Sequence, residues 1–122
     1  MQEDQEMATI LVVDDEAAFR TPVAEILRRD GHTVVTAANG AEGVALYRSS
    51  PHLFHIVLTD LQMPTMDGHQ LVELVRETNS RAKIICMSGG IAKRIPANTE
   101  FLQKPFRAVA LSACVDRLLH QS

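Results

Sequence analysis

Short apolar runs alternate with longer stretches of mixed character along this chain. Five runs have the length and composition of β-strands, and they are Thr9–Val13, Thr33–Ala37, Ile56–Thr59, Lys83–Met87 and Glu100–Gln103. The first, third and fourth runs are almost continuously apolar, which is typical of central parallel strands that are covered on both faces. We therefore predict a sheet whose centre is formed by these three runs.

The stretches between the runs carry apolar residues at helical spacing, which predicts amphipathic helices. Three stripes are clear, and they consist of Phe19, Val23, Ile26 and Leu27, of Leu71, Leu74 and Val75, and of Leu111, Val115, Leu118 and Leu119. A weaker stripe consists of Ala41, Val44 and Ala45. We interpret Pro22 as a residue inside a kinked first helix, rather than in the first turn of a helix that begins at Thr21.

The alternation of strands and helices favours an α/β fold with an open parallel sheet, helices on both faces and right-handed crossovers. Residues 8–120 have the size of one domain, and residues 1–7 are predicted to be a disordered tail. In such folds, ligands bind beyond the carboxyl ends of the strands, near the point where the strand order reverses. Functional side chains are therefore expected at the strand ends.

The composition excludes several classes of function. The formal net charge of the 122-residue chain is −3 and its basic residues are scattered, so direct binding of nucleic acid is not expected. No apolar run is long enough to span a membrane, and the polar start of the chain does not resemble a signal peptide. We interpret Cys86 and Cys114 as buried apolar residues of a cytoplasmic protein. The five histidines lack metal-ligand spacing and are interpreted as surface or turn residues.

Charged and polar side chains lie at four of the predicted strand ends. Asp14 and Asp15 follow the first strand, Asp60 the third, Ser88 the fourth and Lys104 the fifth. Closely packed carboxylates repel one another unless a cation joins them, and hard oxygen ligands of this kind suit Mg²⁺ or Mn²⁺. A simpler alternative is that Asp14 and Asp15 cap the first helix, but it leaves the other strand-end residues unexplained.

Four short segments strengthen this interpretation, and they are LVVDDE at 11–16, VLTDLQMPTMDG at 57–68, CMSGG at 86–90 and FLQKPF at 101–106. With these segments in order at the strand ends, the chain from Ala8 to His120 resembles the receiver domain of two-component response regulators. The resemblance implies a flavodoxin-like, doubly wound, five-stranded parallel sheet with the strand order 2-1-3-4-5.

The resemblance also implies a phosphorylation site with a bound metal ion. Asp60 would be the nucleophile that forms an aspartyl phosphate. The metal, Mg²⁺ or Mn²⁺, would be bound directly by Asp15, mainly through water by Asp14, and also by Asp60 and the backbone carbonyl of Gln62.

Three further residues of this pattern would respond to the phosphoryl group. Lys104 would contact the phosphoryl oxygens, and its bond to Pro105 would be cis. Ser88 would donate its hydroxyl to the phosphoryl group once it arrives. Phe101 would turn inward as Ser88 engages, although core packing is an alternative role for an aromatic residue on a strand.

The chain departs from the family between Ser88 and Lys104, where only fifteen residues lie, several fewer than in the family. The missing part belongs to the family's fourth helix, and residues 89–96 contain two glycines and a proline. We expect a short turn or an irregular loop in place of that helix. The docking face that the helix usually helps to form is therefore in doubt, and switching is expected to act by ordering this loop.

The resemblance implies a signalling domain that catalyses only its own phosphorylation and slow dephosphorylation, not a turnover enzyme. Its donor would be a sensor histidine kinase, and its output a protein contact or transfer to a histidine phosphotransfer protein. Two alternatives stay open, a pseudo-receiver that binds partners without phosphorylation and a hydrolase with an aspartyl nucleophile. The hydrolase is disfavoured because Gln62 stands where such enzymes carry a second acid. The chain is also compatible with a receiver taken from a hybrid kinase.

Overall fold

The computed structural model describes residues 7–90 and 94–121, which form a five-stranded sheet and four helices. In chain order the elements are β1 (Thr9–Val13), α1 (Ala17–Arg29), β2 (Thr33–Ala37), α2 (Gly40–Ser49), β3 (Ile56–Asp60), α3 (Gly68–Thr78), β4 (Lys83–Ser88), β5 (Glu100–Gln103) and α4 (Ala108–Leu119). Of the predicted tail, only Met7 belongs to the described residues. None of the helices in the described ranges is both long and apolar enough to span a bilayer.

The sheet is parallel throughout, and its strand order is β2-β1-β3-β4-β5. The predicted strand bounds are confirmed, except that β3 continues to Asp60 and β4 continues to Ser88. The strands β1, β3 and β4 are almost wholly buried, whereas the edge strands β2 and β5 are partly exposed. The predicted α/β fold is therefore confirmed, and it brings the ends of β1, β3, β4 and β5 to one edge of the sheet.

Two apolar clusters lie on opposite faces of the sheet. Successive residues of β1 belong to them alternately, because side chains of a strand point to opposite faces: Ile10 and Val12 join one cluster, and Leu11 and Val13 join the other. The first cluster contains the buried residues of α1 and α4, and the second contains those of α2 and α3. Both faces are thus covered by helices, as the apolar central strands require.

The start of α3 is fixed directly behind the end of β3. Asp67 accepts a hydrogen bond from the backbone N–H of Gln70 (2.9 Å), and the Gln70 side chain accepts one from the Asp67 N–H (3.2 Å), which forms a capping box. The next residue, Gly68, donates to the carbonyl oxygen of Leu61 (3.1 Å). A Cβ at Gly68 would meet the Asp60 carbonyl oxygen and lie 2.7 Å from the Leu61 Cα, so this approach requires glycine.

The predicted apolar stripe of α2 is confirmed for Val44 and wrong for Ala41 and Ala45. The helix buries Gly43, Val44 and Tyr47, whereas Ala41 and Ala45 are exposed. The reason is a close contact between backbone and side chain, because a Cβ at Gly43 would lie 2.8 Å from Cγ2 of Val13. A glycine that allows such packing leaves no apolar signal in the sequence.

Pro22 lies inside α1, as preferred from the sequence. The helix begins at Ala17, so the alternative start at Thr21 is wrong. Gly31 follows the helix with a positive φ of 101°, a backbone conformation that glycine adopts readily at a helix end.

The β4–β5 connection, residues 89–99, contains no helix in its described parts, 89–90 and 94–99. Residues 91–93 of the predicted turn or loop lie outside the described residues. The structure therefore agrees with the predicted departure from the family pattern as far as the connection is described.

Side chains of α3 hold the second half of this connection. The two terminal nitrogens of Arg76 donate to the carbonyl oxygens of Ala97 (2.6 Å) and Asn98 (2.7 Å). Nε2 of His69 lies 2.8 Å from the carbonyl oxygen of Arg94. Hydrogen bonds from α3 thus fix a segment that has no regular structure of its own.

Candidate functional site

Three carboxylates converge beyond the ends of β1 and β3. One oxygen each of Asp14, Asp15 and Asp60 lies within 4.8 Å of the other two. Asp14 is fully buried and Asp60 is 4% exposed, whereas Asp15 faces solvent. The convergence that the strand-end positions predict is therefore present.

The capping alternative for the first two of these residues is not supported. The residue that precedes α1 is Glu16, and no side chain caps the helix there. Asp14 instead accepts a hydrogen bond from the Glu16 backbone N–H (2.9 Å), outside the helix. Its carboxylate is thus held in place by the turn after β1 and points into the cluster.

Lys104 joins the carboxylate cluster from the end of β5. Its Nζ lies 2.9 Å from Oδ2 of Asp14 and 2.9 Å from Oδ2 of Asp60, and Oε1 of Glu16 is farther away at 3.9 Å. The backbone N–H of Lys104 donates to the carbonyl oxygen of Ser88 (2.8 Å), which ties the lysine to β4. The bond between Lys104 and Pro105 is cis, as the family resemblance predicts.

The pKa values of Asp60 and Lys104 are both raised, but for different reasons. Burial raises the pKa of Asp60, and the hydrogen bonds from the Gln62 N–H and from Lys104 only partly oppose this shift. Burial lowers the pKa of Lys104, but its hydrogen bonds to Asp60 and Asp14 outweigh burial and leave its pKa above the ordinary value. The lysine therefore stays charged and neutralises part of the carboxylate cluster.

The donor set of the cluster fits a divalent cation. Three carboxylates carry three negative charges and Lys104 carries one positive charge, so the fully ionised group has a net charge of −2. Carboxylate oxygens at such spacing are the hard ligands that Mg²⁺ and Mn²⁺ prefer. The residues present are therefore compatible with the predicted metal.

Ser88 and Gln62 each make a hydrogen bond that was not predicted from the sequence. The hydroxyl of Ser88 donates to the carbonyl oxygen of Gly90 (3.3 Å), so it is bound by its own loop. The backbone N–H of Gln62 donates to Oδ1 of Asp60 (3.0 Å). The roles of the Ser88 hydroxyl toward a phosphoryl group and of the Gln62 carbonyl toward a metal stay predictions.

Phe101 lies on β5 beside Cys86 of β4 and is half-buried. Its ring packs against the apolar cluster that contains α2 and α3. This position agrees with the core-packing alternative, and its role as a switch stays a prediction.

Three residues near the site were not identified from the sequence as parts of it. The ring of Phe19 lies 4.1 Å from the Lys104 Nζ, measured to the ring centroid. Arg20 donates to the Asp14 carbonyl oxygen (2.7 Å), and Gln103 donates to the carbonyl oxygens of Ser88 (3.2 Å) and Gly90 (3.3 Å). The sequence offered one indication of their place near the site, which is that they are close in the chain to predicted site residues. Phe19 and Arg20 lie in the first turn of the helix after Asp14 and Asp15, and Gln103 directly precedes Lys104.

The five histidines were interpreted as surface or turn residues, and His32 lies in the turn region between α1 and β2 but is not at the surface, since it is only 7% exposed. Its Nδ1 accepts a hydrogen bond from the backbone N–H of Ala8 (3.0 Å), which satisfies a donor that a buried strand start would otherwise leave free.

The two cysteines are buried as predicted, and burial raises the pKa of each thiol to about 11.

Comparisons with known proteins agree with this geometry. The family model of the response regulator receiver domain matches residues 10–116. The sensor kinase CckA of Brucella abortus is 35% identical over 93% of this chain, which spans only 13% of that protein. The chemotaxis protein CheY of Bacillus subtilis is 33% identical, and the match covers 91% of this chain and 97% of that protein. The crystal structure of a response regulator receiver protein from Sinorhizobium medicae has a TM-score of 0.85 at 28% identity, with 93% and 95% of the two chains covered.

Proposed function

Because the chain belongs to the response regulator receiver domain family and is a phosphoacceptor module of two-component signalling, we propose that Asp60 accepts the phosphoryl group. The observation that supports this assignment is the position of Asp60 at the end of β3, within reach of two further carboxylates and of the Lys104 ammonium. Its side chain is nearly buried, which suits an acyl phosphate that must be protected from water.

The proposed reaction is a transfer between two nucleophiles. A carboxylate oxygen of Asp60 forms a bond to the phosphorus of a phosphohistidine, while the P–N bond breaks and its electron pair leaves with the imidazole nitrogen. Lys104 exchanges its bond to Asp60 for contacts with the phosphoryl oxygens. Ser88 exchanges its hydrogen bond to Gly90 for one to the same phosphoryl group, and Phe101 moves inward with it.

We propose Mg²⁺ or Mn²⁺ as the cofactor of this step. Asp14, Asp15, Asp60 and the backbone carbonyl of Gln62 would hold it, and when bound it supplies positive charge next to the phosphoryl oxygens. Asp14 and Asp60 then share their negative charge with the cation, which frees the Lys104 ammonium for the transferred group.

The phosphoryl donor in this proposal is a sensor histidine kinase. The output is a contact with another protein, or transfer to a histidine phosphotransfer protein, controlled by the β4–β5 connection. The relatives support a role in kinase signalling, since one of them is a sensor kinase and another is a chemotaxis protein. The site would hydrolyse its own acyl phosphate slowly without acting on a separate substrate.

The two free cysteines support a reducing compartment such as the cytoplasm.

Intact-mass measurement tests the assignment. The protein is incubated with Mg²⁺ and acetyl phosphate, and it is expected to gain the mass of one phosphoryl group. The gain is expected to disappear in Asp60→Asn and to persist in Asp116→Asn, which changes an exposed carboxylate on α4. If the wild-type protein gains no mass and binds no Mg²⁺, the pseudo-receiver alternative is correct instead.

A further inference from the structure

The Lys104 ammonium has an aromatic neighbour in addition to the two carboxylates that it bonds and the more distant Glu16 carboxylate at 3.9 Å. An ammonium group has three N–H donors, and Asp14 and Asp60 accept from it at 2.9 Å each. On a further side the ring of Phe19 lies 4.1 Å from Nζ, measured to the centroid. Since the Lys104 side chain is only 10% exposed, this ring takes a place that water would otherwise occupy.

Phe19 is itself held in a fixed position next to the site. It lies in the first turn of α1, the helix that follows the acidic turn after β1. Phe106 contacts it edge to face, with 5.3 Å between the ring centroids and an interplanar angle of 85°. The next residue, Arg20, donates to the carbonyl oxygen of Asp14 at 2.7 Å. The ring is therefore anchored to the same backbone that positions the carboxylate cluster.

An aromatic ring can hold a cation without competing in the chemistry of this site. Its face attracts an ammonium group through the ring quadrupole, but it is no ligand for Mg²⁺ and carries no exchangeable proton. A carboxylate in the same place would add a further negative charge and would retain the lysine by itself. The ring instead leaves the ammonium able to turn toward a new anionic partner on the Asp60 side.

We propose that Phe19 is a positioning residue for phosphoryl transfer, whose ring keeps the Lys104 ammonium beside Asp60 while the carboxylates engage the cation and the phosphoryl group. This inference rests on the proposed function of the site. The apolar pattern of α1 explains Phe19 only as a core residue, and the proposal gives this residue a role at the site as well.

Nuclear magnetic resonance tests the position of the lysine directly. The ring current of Phe19 is expected to move the ε-methylene proton signals of Lys104 upfield of those of exposed lysines, both in EDTA and with saturating Mg²⁺. The displacement is expected to vanish in Phe19→Leu and to persist in Phe19→Tyr. Signals at ordinary lysine positions in the wild-type protein under either condition would overturn the proposal, whatever the variants do.

Kinetics provide the second readout. The maximal rate of phosphorylation by acetyl phosphate at saturating Mg²⁺ is expected to fall about threefold to tenfold in Phe19→Leu, which corresponds to the loss of a partly buried cation–π contact. Phe19→Tyr restores the ring and is expected to restore the rate.

The matched control is Phe54→Leu, which removes a buried ring from the opposite face of the sheet. Its rate is expected to stay at the wild-type level. An equal loss in Phe19→Leu and Phe54→Leu, or no loss in Phe19→Leu, would refute the positioning role. If the wild-type protein takes no phosphoryl group, the proposed function fails, but the ring-current measurement still decides whether Phe19 holds Lys104.

Discussion

Nζ of Lys104 lies 2.9 Å from Oδ2 of Asp60, the residue proposed to accept the phosphoryl group. The same nitrogen lies 2.9 Å from Oδ2 of Asp14, so two buried carboxylates share one ammonium group, which balances one of their two negative charges. A divalent cation at this site would share both carboxylates with the lysine. The chemistry of the site therefore depends on how the negative charge of Asp14 and Asp60 is divided between the Lys104 ammonium and the cation.

Replacing Lys104 with methionine tests this balance through stability. The change leaves Asp14 and Asp60 as buried like charges without their shared partner, and the free energy of unfolding in EDTA is expected to fall by about 2–4 kcal/mol. Saturating Mg²⁺ is expected to recover part of this loss, because the cation supplies the missing positive charge. Urea denaturation in EDTA and in Mg²⁺ provides the measurement.

Lys83→Met is the matched control for that experiment. Lys83 is half-buried and donates to the carbonyl oxygen of Gln121 (3.0 Å), away from the carboxylates. Its loss of stability is expected to be the same in both buffers. A Lys104→Met protein that Mg²⁺ does not stabilise more than the control would show that the lysine and the cation do not share the cluster.

Asp15 provides a test of the metal site with little effect on the fold, because its side chain faces solvent. Mutation of residues that only orient the ligands of a metal ion lowers metal affinity by about tenfold or more. Asp15→Asn removes a proposed direct ligand, so it is expected to raise the Kd for Mg²⁺ by at least that factor. Isothermal titration calorimetry measures the Kd, and Asp116→Asn is the control. Equal Mg²⁺ affinities for wild type and Asp15→Asn would remove Asp15 from the ligand set.

The sheet could be predicted from the sequence because its strands leave a direct signal. Central strands covered on both faces are expected to be almost continuously apolar, and the runs that end at Val13, at Thr59 and at Met87 have this character. Parallel strands end at one edge, so the convergence of Asp14, Asp15 and Asp60 followed from their positions. Most of the candidate site was predictable for this geometric reason.

Contacts that depend on side-chain direction could not be predicted in the same way. Gly43 allows α2 to approach Val13, and His32 accepts the N–H of Ala8, but neither contact leaves a periodic pattern. Phe19 fits the apolar stripe of α1 equally well whether its ring faces the core alone or also the Lys104 ammonium. The distance between atoms that are far apart in the chain, which the sequence does not contain, decides each of these cases.

The cysteines provide a test of burial through pH. Burial raises the pKa of Cys86 and Cys114 to about 11, whereas thiols in an unfolded chain ionise near pH 8.5. A raised folded pKa means that the protonated thiols stabilise the fold fully below about pH 8.5, and that this contribution is lost as the pH rises toward 11. Thiol titration with a disulfide reagent at pH 8 is expected to detect neither cysteine in the folded protein and both in urea. Rapid reaction of either thiol in the folded state at pH 8 would contradict the assigned burial.

The attachment of the β4–β5 connection to α3 depends on the planar fork of Arg76. Arg76→Lys replaces two donor nitrogens held in one rigid plane with a single, more mobile ammonium group. The hydrogen bonds to Ala97 and Asn98 are expected to weaken, so residues 94–99 are expected to exchange their amide hydrogens faster. The free energy of unfolding is expected to change by less than about 1 kcal/mol, because the contacts are exposed. Hydrogen exchange followed by mass spectrometry measures the effect. Arg81→Lys, at an exposed arginine beyond the end of α3, is the control, and an equal response of both variants would argue against a role for the fork.

The most direct test of the central claim is to locate the phosphoryl group on the chain. Borohydride reduces an acyl phosphate to an alcohol and releases phosphate, so a phosphorylated aspartate becomes homoserine. After incubation with Mg²⁺ and acetyl phosphate, reduction and tandem mass spectrometry of the peptides, we expect homoserine at position 60 alone. Homoserine at position 14 or 15, or no homoserine in a protein that has gained phosphoryl mass, would contradict the assignment of Asp60.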